Sequence, residues 1–130
     1  MKADFINQLQ VLGLKPQEPV TGKVYFEWIA PVGGNAGKKV LVGVTVSDAY
    51  PAACPSAPHF RPLDEGWKNH PDAVSVSAFG QGWQKYPDAE TVDFYQTGWY
   101  YWSRKFDEWA ASEKNAKFYL AHLKKLMMTV

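Results

Sequence analysis

The stretch AYPAACPSAPHFRPLDEGWKNHPD, residues 49–72, decides how this chain is read. Pro51, Pro55, Pro58, Pro62 and Pro71 leave no room for a regular helix between them, because each removes an amide donor and clashes with the turn before it. The segment reads as a stiff, extended path, and residues 50–62 are expected to lie along one edge of the fold. On its N-terminal side, KVYFEWIAP (23–31) and KKVLVGVTV (38–46) are rich in β-branched and aromatic residues. VGGNAGK (32–38) supplies turn residues between them. This predicts an antiparallel hairpin with strands over 23–29 and 39–46, the second apolar on both faces and therefore central.

Further out, Phe5, Ile6, Leu9 and Leu12 recur at helical spacing before Gly13, which predicts a helix over 3–12 that stops at the glycine. Ala116, Tyr119, Leu120, Leu123, Leu126 and Met127 recur at intervals of three and four near the other end. They predict a helix over about 112–128, with Ser112 as its N-cap. Residues 73–97 hold a short alternating run, VSVSAFGQGW, and then the polar KYPDAETVDFYQT, which reads as a loop or insertion. Helix, strands, proline-rich path, aromatic segment and closing helix make one α+β domain over 1–130, an antiparallel sheet covered by helices.

Composition narrows the function classes. Fourteen Lys and Arg against thirteen Asp and Glu leave a formal charge of +1, so the basic footprint of a nucleic-acid binder is missing. No apolar run approaches the roughly 18 to 20 residues that span a bilayer. MKADFINQLQ (1–10) lacks the apolar core of a signal peptide, and one cysteine, Cys54, cannot form an internal disulfide; the expectation is a soluble cytoplasmic protein without a membrane partner. His59, His70 and His122 lie in separate segments, and no spacing resembles a metal site. VGGNAGKK does not open a helix, so a hairpin turn explains it better than a phosphate loop. No cofactor is expected.

The second telling stretch is TGWYYWSRKFDEW, residues 97–109. Taken with the proline path, it resembles a known family. Tyr50-Pro51, Cys54-Pro55 and Phe60 are similar to the tyrosine-proline, double-proline, phenylalanine signature of ubiquitin-conjugating enzymes. His70-Pro71-Asp72 stands where that family writes His-Pro-Asn, and Gly98 and Trp109 have the spacing that flanks its catalytic cysteine. That position falls on Tyr101. The run Trp102, Ser103, Arg104, Lys105 resembles a divergent prokaryotic branch whose run ends in histidine.

The resemblance implies the ubiquitin-conjugating fold and a place in a bacterial ubiquitin-like conjugation pathway. The chain would accept or position the C-terminus of a ubiquitin-like modifier for transfer to an amine, with the modifier and an adenylating (activating) enzyme as partners. The alternative it implies is a catalytically inert scaffold or adaptor of the same fold. The candidate catalytic residues are Ser103, Arg104, His70 and Asp72. Trp102, Lys105 and Tyr101 are candidate contacts, and Lys2 and Asn7, with Gln8, are expected on the exposed face of the first helix, where the activating enzyme would bind. The family's cysteine and asparagine are both replaced, and the segment from Asp72 to Tyr101 is longer than the family norm.

Each residue also has a plainer reading. A phenol with a pKa near ~10 is a poor acyl acceptor, so Tyr101 reads as packing. Ser103 needs a base to become a nucleophile, and it could equally hydrogen-bond a turn. Cys54 reads as a buried, inert filler in place of a proline, and His59 and His70 as polar loop residues. The aromatics could form a stacking platform for sugars or single strands. Their scatter along the chain favours core and protein contacts instead.

Overall fold

A computed structural model describes residues 1–76 and 98–130. The residues 77–97 of the expected insertion lie outside the described residues. Lys23–Ile29 (β2) and Lys39–Thr45 (β3) pair in antiparallel register from Lys23 opposite Thr45 to Ile29 opposite Lys39. The loop between them closes by hydrogen bonds from Ala30 N–H to Lys38 O (3.0 Å) and from Gly37 N–H to Ala30 O (2.8 Å). Among the described residues the sheet has six strands, adding Gln17–Val20 (β1), His59–Pro62 (β4), Val74–Val76 (β5) and Trp99–Tyr101 (β6), in the order β1-β2-β3-β4-β6-β5. Every pairing is antiparallel. β3 takes the central place its two apolar faces demand, buried from Val40 to Val44.

The register puts Val24, Phe26 and Trp28 on the same face as Val44, Val42 and Val40 and, one strand further, Phe60. Alternate residues of a strand share a face, so this is one continuous apolar wall. The helices Lys2–Val11 (α1) and Ala116–Met127 (α2) complete the core, with Phe5 and Leu9 from the first and Tyr119, Leu123 and Met127 from the second. Phe5 meets Tyr50 and Tyr119 edge-on, with ring centroids 5.3 and 6.1 Å apart. The architecture is therefore α+β, an antiparallel sheet with an N-terminal and a C-terminal helix.

α1 lies one residue earlier than expected and ends before Gly13, whose φ of +86° suits a residue without Cβ. α2 begins later than expected. Its cap is Asn115, whose Oδ1 accepts from Phe118 N–H at 3.0 Å, whereas Ser112 Oγ closes the preceding turn, donating to Trp109 O (2.8 Å) and accepting from Lys114 N–H (3.0 Å). Lys114 has φ +53°, a left-handed conformation that no helix can run through.

The proline-rich path also differs from expectation. It is not an extended edge over 50–62. Ala49 and Ala53 close a turn (Ala53 N–H to Ala49 O, 3.0 Å), and His59–Pro62 pairs with β3 on one side and β6 on the other. The physical reason is placement: Pro58 and Pro62 bracket the strand, so Phe60 and Arg61 between them keep their amides. Ser56 ties the path to β3, its Oγ accepting from Thr45 N–H (2.8 Å) and its own N–H donating to Thr45 O (2.9 Å). Tyr119 of α2 donates its hydroxyl to Ser56 O at 2.6 Å.

Gln8 corrects a further expectation. Its side chain is half-buried and committed within the fold: its Oε1 accepts from both Tyr50 Oη (2.5 Å) and Ala116 N–H (2.9 Å). One amide oxygen thus joins α1, the Tyr50 turn and the first residue of α2. Gln8→Ala leaves two inward-facing donors unsatisfied, and the expected loss is about 2 kcal/mol of unfolding free energy, read from urea denaturation. A loss below about 0.5 kcal/mol would show that the oxygen is not the joint described.

Candidate functional site

His70, Pro71 and Asp72 form a turn in which His70 Nδ1 accepts from Asp72 N–H at 3.0 Å, and Ala73 N–H donates to His70 O at 2.9 Å. The chain enters the facing segment from β6. Trp102 N–H donates to Pro58 O (3.1 Å) and Arg104 N–H to Trp102 O (2.7 Å), which folds residues 102–104 into a tight bend without regular structure. The two segments meet at three points. The His70 ring stacks on Trp102 with centroids 4.5 Å apart and planes 15° apart. Arg104 Nη2 lies 2.9 Å from Asp72 Oδ2, and His70 Nδ1 lies 3.6 Å from the same oxygen.

The structure thus brings His70, Asp72, Trp102 and Arg104 together from positions some thirty residues apart in sequence. Trp102 is 3% exposed and joins the core next to Phe60 (6.4 Å), so it anchors from inside the lip that residues 102–105 form against the His70–Asp72 turn. Its indole N–H is buried without a hydrogen-bond partner among the described residues. The Arg104–Asp72 pair is half exposed on both sides, and water screens such a pair to a fraction of a kcal/mol. It orients the guanidinium more than it stabilises the fold. Ser103 is exposed between Trp102 and Arg104 and makes no hydrogen bond among the described residues.

Tyr101 lies half-buried in β6 with its ring 4.6 Å from His59, directly opposite it in the sheet. Lys105 is exposed and lines a cavity of about 520 Å³ together with Tyr101, Cys54, Phe106, Asp107 and Trp109. Burial pushes the Cys54 thiol up to about 11, against an opposing hydrogen bond from the Phe106 backbone. Lys2 and Asn7 are elsewhere. Lys2 Nζ lies 3.9 Å from Glu18 and 4.0 Å from Asp48 and is only 23% exposed. Asn7 is exposed and lines a second cavity, about 470 Å³, with Asp4, Val11, Pro51, Asn115 and Lys117. No helix among the described residues is long and apolar enough to cross a membrane.

One contact at the lip had no prominent sequence signal. His122 Nε2 lies 3.1 Å from Arg104 O. It follows Tyr119 by three residues, on the inward side of α2, where a polar residue is out of place; that is the one signal it gives.

Two measurements check these electrostatics. At pH 8 a thiol with a pKa near 11 is almost entirely protonated, so Cys54 is expected to react with iodoacetamide at least ~100-fold more slowly than a small free thiol. Burial first, and Lys23's charge second, pull the His59 imidazole down to about 4. The unfolded chain takes up that proton near pH 6.5 and the folded chain only near 4, so the contribution is intact above about 6.5 and is lost as pH falls towards 4. The loss attributable to His59 is about 2 to 3 kcal/mol, and a His59→Gln variant should show a correspondingly flatter urea midpoint between pH 7 and 4.5. An unchanged slope would contradict it. No protein-family model, curated protein or solved structure matches this chain.

Proposed function

We propose that this chain works in a ubiquitin-like conjugation pathway, accepting or positioning the C-terminus of a ubiquitin-like modifier for transfer to an amine. The observation that carries the reading is the meeting of the His70–Asp72 turn with Trp102 and Arg104. Acyl transfer needs a donor to the developing oxyanion, and the resembled family has an asparagine, which can donate, at the position of Asp72. Asp72 cannot do that, because an ionised carboxylate only accepts. Arg104, held by Asp72, supplies donors at the same place, and the Lys105 ammonium follows it in sequence. A cation and oriented N–H groups at the point of developing charge are what acyl transfer requires.

In the accepting form of this proposal, Ser103 Oγ bonds to the carbonyl carbon of a modifier thioester on the activating enzyme. The carbon–sulfur bond breaks, and the hydroxyl proton leaves with the departing thiolate. An amine then displaces Ser103 in turn. The second reading, an inert scaffold that holds the modifier or its activating enzyme, is favoured by a specific contact. The lone pair on His70 Nδ1 already accepts from Asp72 N–H, which leaves Nε2 carrying the proton and makes this histidine a poor base for Ser103.

The test looks for genes of a ubiquitin-like protein and an adenylating enzyme beside the gene for this chain, and combines their products with it and ATP, read by intact-mass spectrometry. The accepting form predicts an adduct that resists thiol reductant and yields to hydroxylamine. Ser103→Ala should abolish it and Cys54→Ser leave it intact. Conjugation that survives Ser103→Ala moves the scaffold reading to first place. Absence of both adduct and stable complex defeats the proposal.

A further inference from the structure

The bend that carries Ser103 has no helix or strand to hold it. From Trp102 to Lys105 the backbone is fixed by Trp102 N–H on Pro58 O, by Arg104 N–H on Trp102 O, and by a bond from α2, between His122 and Arg104 O. A carbonyl oxygen has no proton to give, so Nε2 of His122 must carry the hydrogen and donate it. The ring has little freedom to do otherwise. His122 is 7% exposed, edge-on to Phe106 at 4.8 Å and 72°, and 5.9 Å from Tyr119. Burial, outweighing the hydrogen bond to Arg104 and the charges of Glu108 and Asp107, holds its pKa below the ordinary value, so the imidazole is neutral at neutral pH.

Without this bond Arg104 O would lose its partner in a part-buried contact, and a backbone acceptor left unpaired out of water is costly. The bond also acts at a chosen point. Arg104 presents its carbonyl to α2 and its guanidinium to Asp72, so fixing one end of the residue fixes where the other can reach. We infer that His122 is a positioning residue of the lip: its Nε2–H to Arg104 O bond holds the Trp102–Lys105 bend in the orientation that sets Arg104 on Asp72 and turns Ser103 outward. The catalytic meaning of that orientation rests on the conjugation reading above; the positioning itself does not.

Two experiments separate the two. Hydrogen exchange of the Trp102 and Arg104 amides is measured by NMR in the wild-type chain, His122→Leu and His122→Gln, with the Val42 and Val44 amides of β3 as internal controls. Leucine removes the donor and keeps the bulk, so both lip amides should exchange about tenfold faster while β3 is unchanged. Glutamine can place its amide nitrogen near the Nε2 position and should restore most of the protection. In the wild-type chain, the ring ¹⁵N shifts should report the neutral tautomer protonated at Nε2. Wild-type exchange at both lip amides in His122→Leu, or a ring protonated at Nδ1 alone, overturns the inference; should the leucine variant not fold, the tautomer and the glutamine variant still decide it. In the adduct assay, oxyester yield should fall about tenfold in His122→Leu and recover in His122→Gln. A wild-type chain that forms no adduct counts against the conjugation reading, whereas the exchange result stands on its own.

Discussion

β3 is hydrogen-bonded along both edges and buried along both faces, and the positions of the other strands follow from that double constraint. A strand in this situation cannot slip: a shift of one residue would move Val40, Val42 and Val44 from one face of the sheet to the other and bring Lys39 and Thr45 inward. β2 is fixed against it over seven residues and β4 over four. β6 is then fixed against β4 through His59 and Phe60. The lip is thus at the end of a chain of registers that begins in the most buried element, and its first residue, Trp102, returns to the same core beside Phe60.

Outside the sheet, position is set by single polar groups that each serve two partners. Gln8 Oε1 accepts from Tyr50 and Ala116. Asn35, fully buried, donates to Lys68 O and accepts from Lys68 N–H, both at 2.7 Å, which ties the hairpin loop to the path leading to His70. Ser56 joins β3 to α2 by way of Tyr119. Buried polar groups satisfied in this way specify one arrangement, since every alternative leaves a donor or acceptor unpaired. The same logic governs His122 and Arg104 O.

This division explains what could be read from the sequence. α1, β2, β3 and the apolar stripe of α2 are written in periodicity, because burial on one face forces it. β1 is not: Gln17, Glu18 and Pro19 give no alternation, and the strand exists because β2 offers an edge, with an irregular register between Gln17 and Val20. β4 is hidden between prolines that argue against a strand and turn out to bracket one. The start of α2 is misread at Ser112 because serine and asparagine cap equally well, and only the left-handed Lys114 decides for Asn115. At the lip, the pairing of Asp72 with Arg104 leaves no local trace in the sequence, because the two are 32 positions apart. Gln8 is illegible because a polar residue on a helix looks exposed until its partner, far away in sequence, is known, and His122 gives only its place on the inward side of α2.

On the proposed conjugation reading, the aspartate at position 72, where the resembled family has asparagine, bears directly on the chemistry of the lip. An asparagine can donate to a forming oxyanion; an aspartate repels it. A lip with Asp72 alone would therefore oppose acyl transfer. Arg104 reverses the sign locally, because the guanidinium neutralises the carboxylate with Nη2 and keeps other N–H groups to offer. That reversal depends on Arg104 being held in place, since a half-exposed arginine has many rotamers and a surface ion pair of this kind is weak. Backbone fixation is the cheaper way to restrict it: with Trp102 anchored in the core and Arg104 O bound from α2, the side chain starts from a fixed Cα within reach of Asp72. The buried histidine on α2 and the exposed charge pair at the lip are thus two ends of one device, the first limiting where the second can be.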